Sequence, residues 1–301
     1  MSDDGKQRSL RQVLAQLRKA AHPARRQKAP DVPESTGYTV FGDIGAPLRN
    51  LTSEPIEALH EDPRELPGVF KIRLARSRAA QRNVGQLIQR RYSSRGYRIP
   101  GLKPDENLCT LVAYRDNHLV GTLGVRVDSP HGLSADDLYH DEVARLRAAG
   151  VRLGEFTRLA VEGDKVSLAV LGALFHTAYL YAYRVRGCDC AVIEVNPRHT
   201  AYYRRGLSFD PIGPERFNPR VQAPSVLLCI AFERMAANVA SYFARTWSHE
   251  GGRSAYAHWF PPDEERGVLN RLLQLDAEGS AQTPRATGRG SWRADSSEHD
   301  A

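Results

Sequence analysis

Gly154-Glu155-Phe156-Thr157-Arg158-Leu159-Ala160-Val161, the apolar run Val166–Tyr183, and Val192-Ile193-Glu194-Val195-Asn196-Pro197-Arg198-His199 together decide how this chain is read. The first segment reads as a strand carrying one acid and one arginine toward an apolar end. The second reads as a buried helix. The third reads as a strand that delivers a polar cluster at its exit, just ahead of Tyr202-Tyr203-Arg204-Arg205. A strand–helix–strand–helix unit with charged residues at the strand ends suits a site that grips one ligand and does proton chemistry on another. Side chains alternate along a strand. Glu155 is therefore expected to share a face with Thr157 and Leu159, and Arg158 to share the opposite face with Phe156 and Ala160. Arg158 either pairs with Glu194 or an acid of the preceding polar helix, or serves the site.

Working outward, Gly68–Leu74 alternates with period two and predicts a first strand. Ser77 can cap the helix after it, whose apolar stripe is Ala80, Val84, Leu87 and Ile88, with Arg78 and Arg82 opposite and Arg91 within it. Leu108–Arg115 and His118–Val127 flank Asp116-Asn117, a tight hairpin signal. Pro130, Gly132 and Ser134 precede a polar helix from about Ala135 to Ala149, ended by Gly150. Asp210–Pro224 reads as a loop-rich connection, and Ser225–Phe232 as a last strand. The order β-α-β-β-α-β-α-β-α-β predicts an α/β fold with a mixed sheet.

The 301 residues are 41% apolar, enough for a globular core, but both ends are poor in apolar residues. Composition predicts a basic, Pro-containing extension over 1–65, largely disordered, and a folded unit of single-domain size over 66–235. Short helical segments followed by a disordered tail are expected over 236–301. No start resembling a signal peptide is present. The Val166–Tyr183 run contains Ser167, His176 and Thr177 and lies between strands. It is read as a core helix, so no integral membrane segment is expected. The four cysteines (109, 188, 190, 229) sit in strand-like apolar contexts without a zinc spacing, so reduced buried thiols, no metal and a cytoplasmic location are expected. The net charge of +7 is uneven: ten basic residues and no acid lie between Lys71 and Lys103. Such a field draws an acidic partner: nucleic acid, anionic lipid or an acidic carrier protein.

The Glu155-Phe156-Thr157-Arg158-Leu159-Ala160-Val161 segment resembles the Glu-x-Thr/Ser-Arg-x-Ala-Val stretch shared by LuxI-type acyl-homoserine lactone synthases and FeeM-type N-acyl amino acid synthases, both within the GNAT superfamily. Val120-Gly121-Thr122-Leu123, Asp128-Ser129-Pro130 and Asp136-Asp137-Leu138-Tyr139 also look like the FeeM type. The resemblance covers about residues 68–233 and implies a GNAT-type acyltransferase fold. It implies N-acyl transfer of a fatty chain from acyl carrier protein or acyl-coenzyme A to an amino acid or similar amine. No tightly bound cofactor and no nucleic acid are implied; the donor is an acyl-phosphopantetheine.

The same resemblance implies roles for single residues. Glu155 would be the general base toward the amine, directly or through water, and Arg158 would organise the site. The backbone of Leu159, Ala160 and Val161 would hold the pantetheine and stabilise the oxyanion, with Val166 and Ser167 near the donor phosphate. Tyr203 would protonate the leaving thiolate, although Tyr202 is not separable from it by sequence. Asn196 and Arg198 would contact substrate. His199 is either a helix cap or a substrate contact and second proton carrier. Ser208 stands where the family motif has glycine. Glu162 and Asp164, unlike the usual glycine-rich coenzyme A loop, would repel a pyrophosphate and favour acyl carrier protein, docked on Arg78, Arg82 and Arg90. Two rival readings are an acyl-homoserine lactone synthase-like enzyme and a catalytically degenerate GNAT-fold binding protein. Retention of Glu155, Arg158 and Tyr203 together counts against the second.

Overall fold

The computed structural model describes residues 10–17, 39–41, 70–98, 105, 107–115, 118–162, 168–246 and 255–282. The first helix is α1 (10–17), and the strands are β1 (Thr39–Phe41), β2 (Phe70–Leu74), β3 (Leu108–Arg115), β4 (His118–Val127), β5 (Leu153–Val161), β6 (Cys190–Val195), β7 (Asp210–Pro211), β8 (Arg216–Asn218) and β9 (Ala223–Ala231). They form one sheet in the order β1-β2-β3-β4-β5-β6-β9-β7, with β8 also on β9. Every pairing is antiparallel except β5 with β6, which run parallel. Among these residues the sheet is thus mixed and flanked by helices, as in the GNAT-type acyltransferase fold.

Local chemistry accounts for the elements on each face. Ser77 accepts the Ala80 N–H at 3.1 Å and starts α2 (Arg78–Ser93). That helix buries Val84, Leu87 and Ile88 over Val112 and Ala160. On the same side, α3 (Asp136–Ala148) lays Tyr139, Val143 and Leu146 over Leu153, Val192 and Cys229. The polar helix of the sequence is therefore amphipathic, and α1 joins its cluster through Leu10, Val13 and Leu17. The opposite side carries α4 (Leu168–Tyr179), which passes directly into a π-helical turn at Leu180–Val185. Here the apolar run predicted as a buried helix packs Phe175, Tyr179 and Leu174 into the main core with Phe156, Phe232 and Leu123.

Three expectations change. First, the folded unit takes residues from both extensions: α1, the edge strand β1, and the C-terminal segment of Ala255–His258 followed by α7 (Pro262–Gln282). A Cβ added at Gly172 would stand 2.5 Å from the His258 Cβ and 2.7 Å from its carbonyl oxygen, so only glycine lets that segment close on α4. His176 Nδ1 accepts the Phe260 N–H at 2.9 Å, and its ring stacks on Trp259 and Phe260 at 4.3 and 4.9 Å. Second, the C-terminal helices are not short: α6 (Phe232–Thr246) has 15 residues and α7 has 21. Third, the Asp210–Pro224 connection contains two short strands, β7 and β8. Asp116-Asn117 and Asp164 lie outside the described residues.

Candidate active site

The parallel pairing of β5 with β6 runs from Leu153↔Cys190 to Phe156↔Ile193 and ends there, while β5 stays paired with β4 as far as Val161. Residues 157–161 of β5 therefore turn an edge without a β6 partner toward an opening between the strands. Gly124 opposes Thr157 and Thr122 opposes Ala160, so Arg158 and Leu159 together face Leu123. That is a β-bulge, and Arg158 sits in it at φ 55°. A left-handed conformation at a non-glycine residue costs of order 1 kcal/mol or more and is kept where the surroundings fix it.

The bulge corrects the expected alternation. Before it, Phe156 points to the α4 core, where its ring lies 6.1 Å from those of Phe175 and Phe232. After it, Leu159 and Val161 take that side and Ala160 points to the α2 cluster. Arg158 does not share a face with Phe156. It lies on the α2–α3 side with Glu155, where its electrostatic neighbours are Arg126, Asp105, Glu155 and Tyr92.

On that side Glu155 is only 2% exposed. Its carboxylate accepts the Ser134 and Ala135 N–H groups, both at 2.9 Å. The N-cap residue of α3, Ala135, makes no side-chain cap. Glu155, reaching from the strand, supplies that cap and meets the positive end of the helix. Arg126, directly across on β4, brings Nη1 to 3.9 Å of the same carboxylate, bonds Ser134 Oγ at 2.8 Å and pairs with Asp105. Burial pushes the Glu155 carboxyl above its ordinary value, against the opposing pull of the Ser134 N–H and Arg126. Glu194 does not pair with Arg158. Arg220, Asn218 and Ser225 hold it instead.

Tyr203, on α5 (Thr200–Leu207), lies in the core behind the opening. Its ring is edge-on to Phe175 at 6.0 Å, to Phe209 at 6.0 Å and to Tyr202 at 5.4 Å. Burial raises its phenol far above the ordinary value, with Tyr202 and Tyr92 adding to the shift. The hydroxyl is therefore a neutral donor at any physiological pH. Tyr202, next to it, is only partly buried. Ser208, in the glycine position of the motif, adopts φ 62° and ends the helix all the same.

The remaining expected residues divide. Asn196 is a cap: its side chain accepts the Arg198 N–H at 3.2 Å and donates to the Pro224 carbonyl at 3.3 Å. Arg198 reaches Tyr97 Oη at 2.7 Å, crosses the Tyr97 ring at 5.5 Å, and donates from Nε to His199 Nε2 at 3.1 Å. Burial first, then Arg198 and Arg95, lower the His199 pKa, which keeps the imidazole neutral. Its Nε2 lone pair is occupied by Arg198. Val166 and Ser167 lie outside the described residues. Arg78 and Arg82 are exposed, but Arg90 pairs with Glu162 at 3.2 Å. That contact removes Arg90 as a free docking charge and offsets one of the two carboxylates expected to repel a pyrophosphate. Sequence reasoning missed Arg126, Asp105, Tyr92 and Tyr97. The β4–β5 register, which a helix-containing connection separates in sequence, brings Arg126 opposite Glu155.

With this geometry in place, the chain can be set beside known proteins. The family model described as N-acyl amino acid synthase FeeM matches residues 83–231. Over those residues the chain resembles a FeeM-family acyltransferase. The solved structure of FeeM, an N-acyl amino acid synthase from uncultured soil microbes, is 23% identical, with a TM-score of 0.52 over 56% of this chain and 94% of that one. The acyl-homoserine lactone synthase LasI is 15% identical, with a TM-score of 0.39 over 55% and 91%. An acyl-CoA N-acyltransferase from Pseudomonas aeruginosa is 14% identical, with a TM-score of 0.38 over 54% and 98%. No curated protein matches the chain. The match indicates an acyltransferase, with N-acyl transfer as the reaction that it supports. Among the described residues no helix is long and apolar enough to cross a membrane.

Proposed function

We propose that the protein transfers a fatty acyl chain from acyl carrier protein to the amino group of an amino acid, giving an N-acyl amino acid. The observation that carries this reading is the opening between β5 and β6 at the Arg158 bulge, with a buried carboxylate on one side of the sheet and a buried phenol on the other. The thioester lies along residues 157–161, whose unpaired backbone amides face the carbonyl oxygen as charge develops there. The amine approaches from the α2–α3 side. An amino acid's nitrogen is protonated at neutral pH, so a proton must leave before it can attack. Glu155 takes that proton through a water, since its buried oxygens already hold Ser134 and Ala135. The C–N bond forms, the C–S bond breaks, and Tyr203 gives its proton to the departing thiolate on the α4 side. Incubation with labelled long-chain acyl carrier protein and a mixture of the common amino acids, read by mass spectrometry, tests the reading. Absence of any N-acylated product sinks it.

Acyl carrier protein is the proposed donor because α2 presents exposed arginines and no acid along its length. Surface charges of this kind act mainly on encounter rate and are screened by salt. Charge reversal at Arg78 and Arg82 is expected to raise KM for the acylated carrier several-fold and to flatten its salt dependence. The loss should be confined to the carrier-bound donor. An equal loss with acyl-coenzyme A means that α2 itself has been disturbed and ends the docking assignment. Because Arg90 offsets Glu162, the repulsion of a pyrophosphate rests on Asp164, and Asp164→Gly is expected to narrow the gap between the two donors. A wild type that uses acyl-coenzyme A at least as well as the carrier overturns the donor choice.

A further inference from the structure

On the α2–α3 side four partly buried arginines are matched to acids. Arg126 has Asp105, Arg220 has Glu194, Arg216 has Glu142, and Arg147 has Asp128 and Asp136. Arg158 differs from these: half-buried, it makes no hydrogen bond or ion pair among the described residues. A half-buried guanidinium gives up part of its hydration, a cost that the fields of Asp105 and Glu155 offset only partly without an acid in bonding contact. The bulge compounds that cost, because it holds a non-glycine residue at φ 55° to turn this side chain away from the α4 core. Both costs fall at the one point where β5 leaves β6. The neighbour on the same side is Tyr92, whose phenol burial pushes up to about 12, so it stays a proton donor. A fork of guanidinium donors beside a phenol is the chemistry that receives a carboxylate.

We propose that Arg158, with Tyr92 beside it, receives the carboxylate of the acceptor and so makes the enzyme select α-amino acids over simple amines. This rests on the N-acyl amino acid reading above. In an α-amino acid one carbon separates the carboxylate from the amine. A carboxylate held at residue 158 therefore keeps the nitrogen on the side where Glu155 lies, facing the thioester across the opening. Arg126 cannot take this role, because Asp105 and Ser134 already occupy it.

The test uses the full-length enzyme, the acceptor amino acid found by the product screen, its carboxamide and its decarboxylated amine. Wild type is expected to favour the amino acid by roughly 10–100-fold in kcat/KM, the size of a charge-assisted pair. Arg158→Asn suits the left-handed backbone and is expected to bring the three acceptors to within about threefold, through a rise in KM for the amino acid. Arg158→Lys keeps a point charge without the fork and should retain part of the preference, which provides a reading even where the Asn variant unfolds. The assignment is overturned by an Asn variant that keeps the full preference, by a wild type that has none, or by a change in KM for the donor instead of the acceptor. A wild type that acylates none of the three removes the N-acyl amino acid reading and this assignment together.

Discussion

Glu155→Gln is expected to lower kcat by about 10²–10⁴-fold, the usual contribution of a general base, and to lower Tm by a few degrees. The two effects have separate causes. Catalysis loses its proton acceptor. Stability falls because the carboxylate also holds the Ser134 and Ala135 N–H groups. An amide keeps one oxygen for them and turns an NH₂ donor toward the other, leaving a buried group unsatisfied at a cost of about 1–3 kcal/mol. The pH profile separates base from anchor. A base works ionised, and burial raises this carboxyl above its ordinary value. The wild-type rate should therefore fall as pH is lowered through that raised value, above the usual glutamate region near about 4.3. The Gln variant should have no such limb. A variant that loses Tm but keeps more than about a tenth of kcat, with the acidic limb intact, would show Glu155 to be the cap of α3 alone.

The anchoring of Glu155 illustrates what the sequence could and could not display. The period-two runs at Phe70–Leu74 and Leu108–Val127, the Ser77 cap and the apolar stripe of α2 are local signals, and the strands and helix formed where those signals lie. The bulge has no local signal. Arg158 is not glycine or asparagine, the residues that usually mark a positive φ, and the extra residue exists only relative to β4. Straight alternation from Glu155 therefore put Arg158 on the wrong face. The anchoring of Glu155 is equally non-local, since Ser134 and Ala135 lie 21 and 20 residues before it. The contribution of the ends was partly legible. Leu10, Val13 and Leu17 repeat at helical spacing, but Arg8, Arg11, Arg18 and Lys19 mask them in any average over composition. Tyr256, Trp259 and Phe260 are likewise an aromatic cluster inside an otherwise polar segment.

Tyr203→Phe isolates the other half of the chemistry. Its ring packs against Phe175, Phe209 and Tyr202, yet its hydroxyl has no hydrogen-bond partner among the described residues. Phenylalanine keeps the ring and these contacts, so a tyrosine serving only the core would lose little by the change. Phe should therefore leave Tm nearly unchanged while kcat with an alkyl thioester falls by about 10²–10⁴-fold. The leaving group decides the interpretation. An alkyl thiolate is a strong base and needs a proton as the C–S bond breaks, and in the proposed mechanism the neutral Tyr203 phenol supplies it. An aryl thiolate is a far weaker base and departs without one. With an aryl thioester of the same acyl chain, the Phe variant should recover to within about tenfold of wild type. Equal losses with both thioesters would mean that Tyr203 shapes the pocket without moving a proton, and Tyr202→Phe would then be the variant to compare on the same pair of donors.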